Sequence, residues 1–138
     1  MTSTEIFSIA NTIAMPMWLL MMVLPKWKFT RFLIDYKVVP ITLSLCYVIY
    51  VLFHLQGGGN LNFGSLASVT ALFSQENVVM AGWVHYLAFD LLIGMWMLNE
   101  NRTVGIPQLL MIPMLLATFM LGPVGFLLFI TAKAIKTK

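Results

Sequence analysis

Charge is what this sequence has least of. Only 9% of its 138 residues are Asp, Glu, Lys or Arg, against about a quarter in a typical soluble domain. No charged residue falls between Ile6 and Pro25, between Val38 and Gln75, or between Thr103 and Ala132. The chain is 60% hydrophobic with a mean hydropathy of +0.91. So short a chain cannot hide that much apolar side chain from water, because small domains leave much of their surface exposed. An ordinary soluble domain is excluded. The single cysteine, Cys46, excludes an internal disulfide and a cysteine-built zinc cage. The N-terminus, "MTSTEIFSIANTIAMPMW", lacks the basic start of a signal peptide and the Arg-rich, acid-poor character of a transit peptide. The first apolar tract is therefore expected to be a retained span.

What is there is length. A bilayer core takes about 20 apolar residues of helix to cross, and the uncharged tracts supply it. The basic residues support the same reading. A net charge of +3 is compatible with nucleic acid, but Lys26, Lys28, Arg31 and Lys37 share one short connection, and Lys133, Lys136 and Lys138 close the chain. Clusters of this kind, beside apolar spans, hold membrane proteins at the headgroups. No nucleic-acid partner is implied; the lipid bilayer is.

The expected fold is all-α, a polytopic membrane protein of one domain over residues 1–138. Four transmembrane helices are expected to form a bundle, with spans over about 5–24, 38–55, 77–98 and 106–132. Between spans one and two lies a basic, aromatic connection, "KWKFTRFLIDYK", with Trp27 and Tyr36 as interface anchors. "QGGGNLNFG" breaks the helix after span two. "SLASVTALFSQE" then predicts a short helix over about 65–75, capped by Ser65 and too short to span, lying at the interface or re-entering. "NENRTVG" predicts a polar turn. Four spans put both termini on one side, outside if the larger first-loop cluster is cytoplasmic. The C-terminal lysines then conflict with the positive-inside rule. A last tract that re-enters at "GPVG" would remove the conflict.

Within "AGWVHYLAFDLLIGMW", residues 81 to 96, an apolar span carries His85 and Asp90. An ionised carboxylate at the bilayer centre costs about 3 kcal/mol on insertion scales, so Asp90 must be protonated, paired or facing a wet cavity. No Lys or Arg lies inside any span to pair with it. Hydroxyls and amides (Asn11, Thr12, Tyr47, Tyr50), a histidine or water are the partners on offer. Positions five apart differ by roughly 140° around a helix, so His85 and Asp90 share a face only across a π-bulge. Otherwise Asp90 lies with Trp83, Tyr86 and Gly94, and His85 with Ala81, Ala88 and Leu92. Gly82 and Gly94 bracket the motif and permit close helix approach.

A metal site is a weaker candidate. His54 and His85 lie at similar depths, and with Glu76 or Asp90 they would make two histidines and a carboxylate. No HxxxH or HxxE spacing supports it, and the eleven methionines are scattered gap-fillers rather than a soft-metal site. Trp18, Trp27, Trp83 and Trp96 read as anchors or as a slot for a long conjugated lipid; the sequence leaves both open.

Four stretches, "FSIANTIAMPMWLLMMVLPKWKFTRFL", "FGSLASVTALFS", "AGWVHYLAFDLLIGMW" and "GIPQLLMIPMLLATFMLGPVGFLLF", resemble in order and spacing the abscisic-acid-deficient-like family of small membrane proteins. Asn11, Pro16, Trp18, Pro25, Trp27, Thr30, His85, Asp90, Gly122, Pro123 and Gly125 carry the resemblance. Plant members are required for making neoxanthin from violaxanthin, and this chain looks like a bacterial member of an inner (cytoplasmic) membrane. Gln108 and Met97 depart from the pattern, standing where bacterial relatives often have a histidine and an acid. The resemblance implies a carotenoid or other isoprenoid lipid as ligand and no redox cofactor. Opening a 5,6-epoxide to an allenic alcohol needs an acid at the epoxide oxygen and a base at the adjacent polyene carbon; Asp90 and His85 are the candidates. Asn11, Trp18, Trp83, Tyr86 and Trp96 are the candidates for holding the lipid. Two alternatives stand beside this isomerase: a non-catalytic carotenoid-binding accessory, acting as a homo-oligomer or with a partner enzyme, and, more weakly, a small-solute or ion transporter.

Overall fold

The computed structural model describes residues 2–138. Seven helices follow in order among them: α1 (Ser3–Val23), α2 (Lys28–Asp35), α3 (Val38–Gln56), α4 (Leu66–Phe73), α5 (Glu76–Val104), α6 (Gln108–Met120) and α7 (Gly122–Lys136). Three of them, α1, α3 and α5, are long and apolar enough to cross a membrane.

Local sequence explains the ends. Thr2 caps α1 by accepting from the Glu5 N–H at 3.2 Å, while the Glu5 carboxylate accepts from the Thr2 N–H at 2.7 Å. This reciprocal pair satisfies two backbone donors that a helix start leaves open. Ser65 caps α4 through the Ser68 N–H at 3.1 Å, as the sequence suggested. Gly105 closes α5 with φ 77°, a left-handed conformation that glycine adopts without cost. One expectation fails here. "NENRTV" continues α5 rather than turning, and the Asn101 side chain makes the turn beyond it, donating to the Ile106 carbonyl (2.8 Å) and accepting from its N–H (2.7 Å). The connection after α1 also contains a helix, α2, which buries Thr30 and Ile34, one turn apart, and exposes Phe29, Phe32 and Tyr36.

Helix α5 is the axis of the molecule. It packs against α1, α3, α4, α6 and α7, and its buried residues run from Met80 to Leu98. Gly94 lets the Trp18 ring lie directly on the α5 backbone, and Gly82 does the same for Phe73 of α4. The outward faces of α1 and α3 show Leu19, Val23, Leu45, Leu52 and Phe53, an apolar belt that suits lipid.

The expected fourth span is not one helix. The tract 106–132 breaks at Leu121, where the dihedrals leave the helical region, and Pro123 opens α7 just beyond. The two halves, 13 and 15 residues long, fold back on each other as a hairpin. Gly125 seats directly on the backbone of Thr118, an approach that any β-carbon would block. At the open end, Gln108 of α6 donates to the carbonyls of Met21 and Met22. Beside it Lys133 of α7 pairs with Glu100 at 2.6 Å and Lys136 donates to the Gly105 carbonyl. Both ends of the hairpin thus lie at the C-terminal end of α5, and its tip lies at the middle of α5.

The start of α1 and the end of α7 lie at opposite ends of the bundle, whereas four spans would put both termini on one side. The connection holding α2, the α5–α6 turn and the end of α7 gather at one end, and with them all eight basic residues. Glu5 and Glu76 lie at the other end, with α4. The conflict with the positive-inside rule disappears.

Candidate functional site

Asp90 occupies the midpoint of α5, about 21 Å from each of its ends at 1.5 Å per residue. Its side chain points at the hairpin tip. A β-carbon added to Gly122, the first residue of α7, would collide with Asp90 Oδ1. Asp90 is 9% exposed, and its Oδ2 is buried without a hydrogen-bond partner among the described residues.

One turn earlier on the same face, the Tyr86 hydroxyl lies 2.8 Å from the Met120 carbonyl and 3.1 Å from that of Phe119. Both carbonyls belong to the last turn of α6, where a helix leaves its acceptors open. α5 therefore presents a donor to the end of α6 and sets a carboxyl against the start of α7. The hydroxyl matches the sign of the helix terminus it meets, and in a bilayer core no water would satisfy those carbonyls instead.

A cavity of about 670 Å³ runs beside this face, between α5, α3 and α4, and is bordered by Tyr47, Tyr50, His54, Trp83, His85, Tyr86, Phe89 and Asp90. That volume is in the usual range for a small-molecule site. At its outer end, Asn77 Oδ1 accepts from Tyr50 (2.7 Å) and Ser3 (2.8 Å). Leu61 and Phe63 from the glycine-rich connection and Phe73 of α4 complete that end.

His85 and Asp90 border the same cavity from different faces. α5 is α-helical throughout, with no π-bulge to bring them together, so the roughly 140° between them persists. The His85 ring stacks on Phe89 with centroids 4.7 Å apart and meets Tyr47 edge-on at 5.6 Å. His54 also borders the cavity, its Nε2 buried and unpartnered among the described residues. Glu76, at the start of α5, does not border it. No group of three His, Cys, Asp or Glu side chains suited to a metal gathers among the described residues.

The residues expected to hold a lipid divide. Trp83 and Tyr86 stack at 5.5 Å and line the cavity. Asn11 accepts from Trp83 Nε1 at 3.0 Å and so orients that wall. Trp18 and Trp96 do not line it. Trp18 is buried against Gly94 and Phe119, and Trp96 packs on Phe126 and Phe129 of α7. Gln108 and Met97 also have structural tasks: Gln108 ties the hairpin base to α1, and the Met97 sulfur accepts from Thr118 at 3.3 Å. Sequence reasoning missed Gly122 as the neighbour of Asp90. The signal was "GPVG", whose break in an apolar tract marks where two helix ends would need partners.

The four quoted stretches, the central carboxyl and the broken last tract come together in one comparison. The family model ABA DEFICIENT 4-like matches residues 5–129. The chain belongs to this family. Within it, the chain is similar to Protein ABA DEFICIENT 4, chloroplastic, of Arabidopsis thaliana, 25% identical over 107 residues. That alignment takes in 72% of this chain and 48% of the plant protein, so the chain spans about half the length of the curated relative it matches. No solved structure matches. Family membership and three apolar helices long enough to cross a bilayer make this an ABA DEFICIENT 4-like membrane protein.

Proposed function

We propose that this protein acts inside the membrane on a carotenoid or a related isoprenoid lipid, as a cofactor-independent isomerase. Family membership supports the lipid class, and the observation that carries the reading is Asp90: a buried carboxyl with one unpartnered oxygen, at the inner end of an aromatic-lined cavity. A cyclic end-group would enter the cavity while the polyene chain stays among the lipid tails. Asp90 would give its proton to an epoxide oxygen, and His85, bordering the same cavity from another face of α5, would take the proton from the adjacent polyene carbon. The C–O bond breaks as the C–H electrons form the allene, and the proton on His85 returns to Asp90 through bound water. Oxidation state is unchanged, so no redox partner is required.

One observation favours a second reading, that of a binding accessory without chemistry. His85 is engaged by Phe89 and Tyr47 and lies on a different face of α5 from Asp90. In that reading the two residues serve packing and ligand fit alone.

Expression in a carotenoid-producing host separates them. Pigment extracted from wild-type and Asp90→Asn protein would be compared by absorption and mass spectrometry. An isomerase gives a changed pigment with wild type and the unreacted pigment with Asp90→Asn. An accessory gives the same pigment in both, and colourless protein in both would rule out the carotenoid reading.

A further inference from the structure

The basic end of the molecule holds a pocket that the proposed activity does not use. Where α2 and the end of α5 meet the hairpin base, a hollow of about 80 Å³ is lined by Lys26, Arg31, Asn101, Arg102 and Gln108. At about 30 Å³ per water in the liquid, that is room for a few waters or one small polar group.

The two amides in this lining are already committed. Asn101 holds both backbone groups of Ile106, and the Gln108 NH2 holds the carbonyls of Met21 and Met22. The three cations are not. Arg31 donates only to the neutral Asn99 amide oxygen, at 3.3 Å, and the one ion pair among the described residues is Lys133–Glu100. Asp35, one turn after Arg31, attracts it without forming a pair. Burial first, and the neighbouring Arg102 guanidinium second, lower Arg31 from its ordinary pKa. Like charges gathered round a small hollow repel unless an anion joins them.

We propose that this hollow is a phosphate site, in which Arg31, Arg102 and Lys26 hold the phosphate of an anionic lipid headgroup or a free phosphate at the membrane surface. Guanidinium groups match phosphate oxygens with paired donors, and a lysine adds a point charge. The position suits a headgroup. Basic pockets between helices at the cytoplasmic surface recruit anionic lipids, and the positive-inside rule puts this end there. A bound phosphate would tie together the end of α1, α2, α5 and the hairpin base.

The test uses the full chain in nanodiscs of phosphatidylcholine, alone or with a minor share of phosphatidylglycerol. Native mass spectrometry reads retained lipid, and thermal unfolding reads stability. Wild type is expected to retain phosphatidylglycerol and unfold at a higher temperature with it. Arg31→Gln/Arg102→Gln is expected to retain about tenfold less or lower still, whereas Lys28→Gln/Lys138→Gln, with the same charge removed outside the pocket, retains it as wild type does. Lys26→Gln, at an exposed position, carries the test should the arginine variant not fold, with a loss of a few fold. Inorganic phosphate titrated into phosphatidylcholine nanodiscs separates the sources. Stabilisation there, abolished by the arginine variant, identifies free phosphate; no response, with phosphatidylglycerol retained, identifies the lipid. Equal loss in both double variants, or no effect of either ligand on wild type, overturns the proposal.

Discussion

Asp90 and Gly122 touch at the middle of the bundle, where the central helix meets the tip of a hairpin. With the carboxyl as it stands, a β-carbon at Gly122 would collide with Asp90 Oδ1. The break at Leu121 supplies both the gap and the helix start that fills it.

Two glycine substitutions should therefore fail differently. In Gly125→Ala the new methyl meets the backbone of Thr118, which cannot yield without opening the hairpin. A loss of about 1–3 kcal/mol or more is expected from overpacking, read as lower thermal stability in detergent. In Gly122→Ala the methyl meets the Asp90 side chain, which can turn aside. Pigment binding or turnover should fall while stability changes less than in Gly125→Ala. Equal stability losses would show that Asp90 is as fixed as the backbone.

Tyr86→Phe removes the hydroxyl that meets the Phe119 and Met120 carbonyls. Interhelical hydrogen bonds in membranes contribute about 1 kcal/mol, so a modest destabilisation is expected. Hydrogen exchange should rise at the hairpin tip before it rises elsewhere. Uniform acceleration along the chain would contradict this role.

Asn101→Ala removes both side-chain bonds to Ile106. At about 0.5–1.5 kcal/mol for each net hydrogen bond, the turn into α6 should loosen. Proteolysis at residues 104–107 is the readout. Protection equal to wild type would mean that Gly105 alone sets the turn.

The three-crossing topology predicts opposite faces for the chain's two ends. In a Cys46→Ala background, Thr137→Cys should react with an impermeant thiol reagent from the same side of the intact membrane as Lys28→Cys, an exposed position at the start of α2. Gly58→Cys should react from the other side. Thr137→Cys and Gly58→Cys labelled from one side would restore the four-span reading.

Much of the fold was legible in the sequence because bilayer-length apolar tracts are a one-dimensional signal. α1 and α3 fall close to the expected spans, and Ser65 caps α4 as its spacing suggested. The end of α5 was not legible, since "NENRTV" is polar whether it turns or continues as helix into the headgroup layer. The hairpin was foreshadowed by "GPVG", but a break in an apolar tract does not say whether the chain goes on across or comes back. The close contacts of Gly125 with Thr118 and of Lys133 with Glu100 decide that. The site divides in the same way. Composition and spacing determined that this is a membrane protein with a carboxyl at mid-depth and a histidine five residues before it, on a different face of any regular helix. Only the tertiary structure gave Asp90 its neighbour Gly122 and placed both polar residues beside one cavity. A side chain's surroundings are set by helices distant in sequence, and helix packing, unlike hydropathy, has no local code.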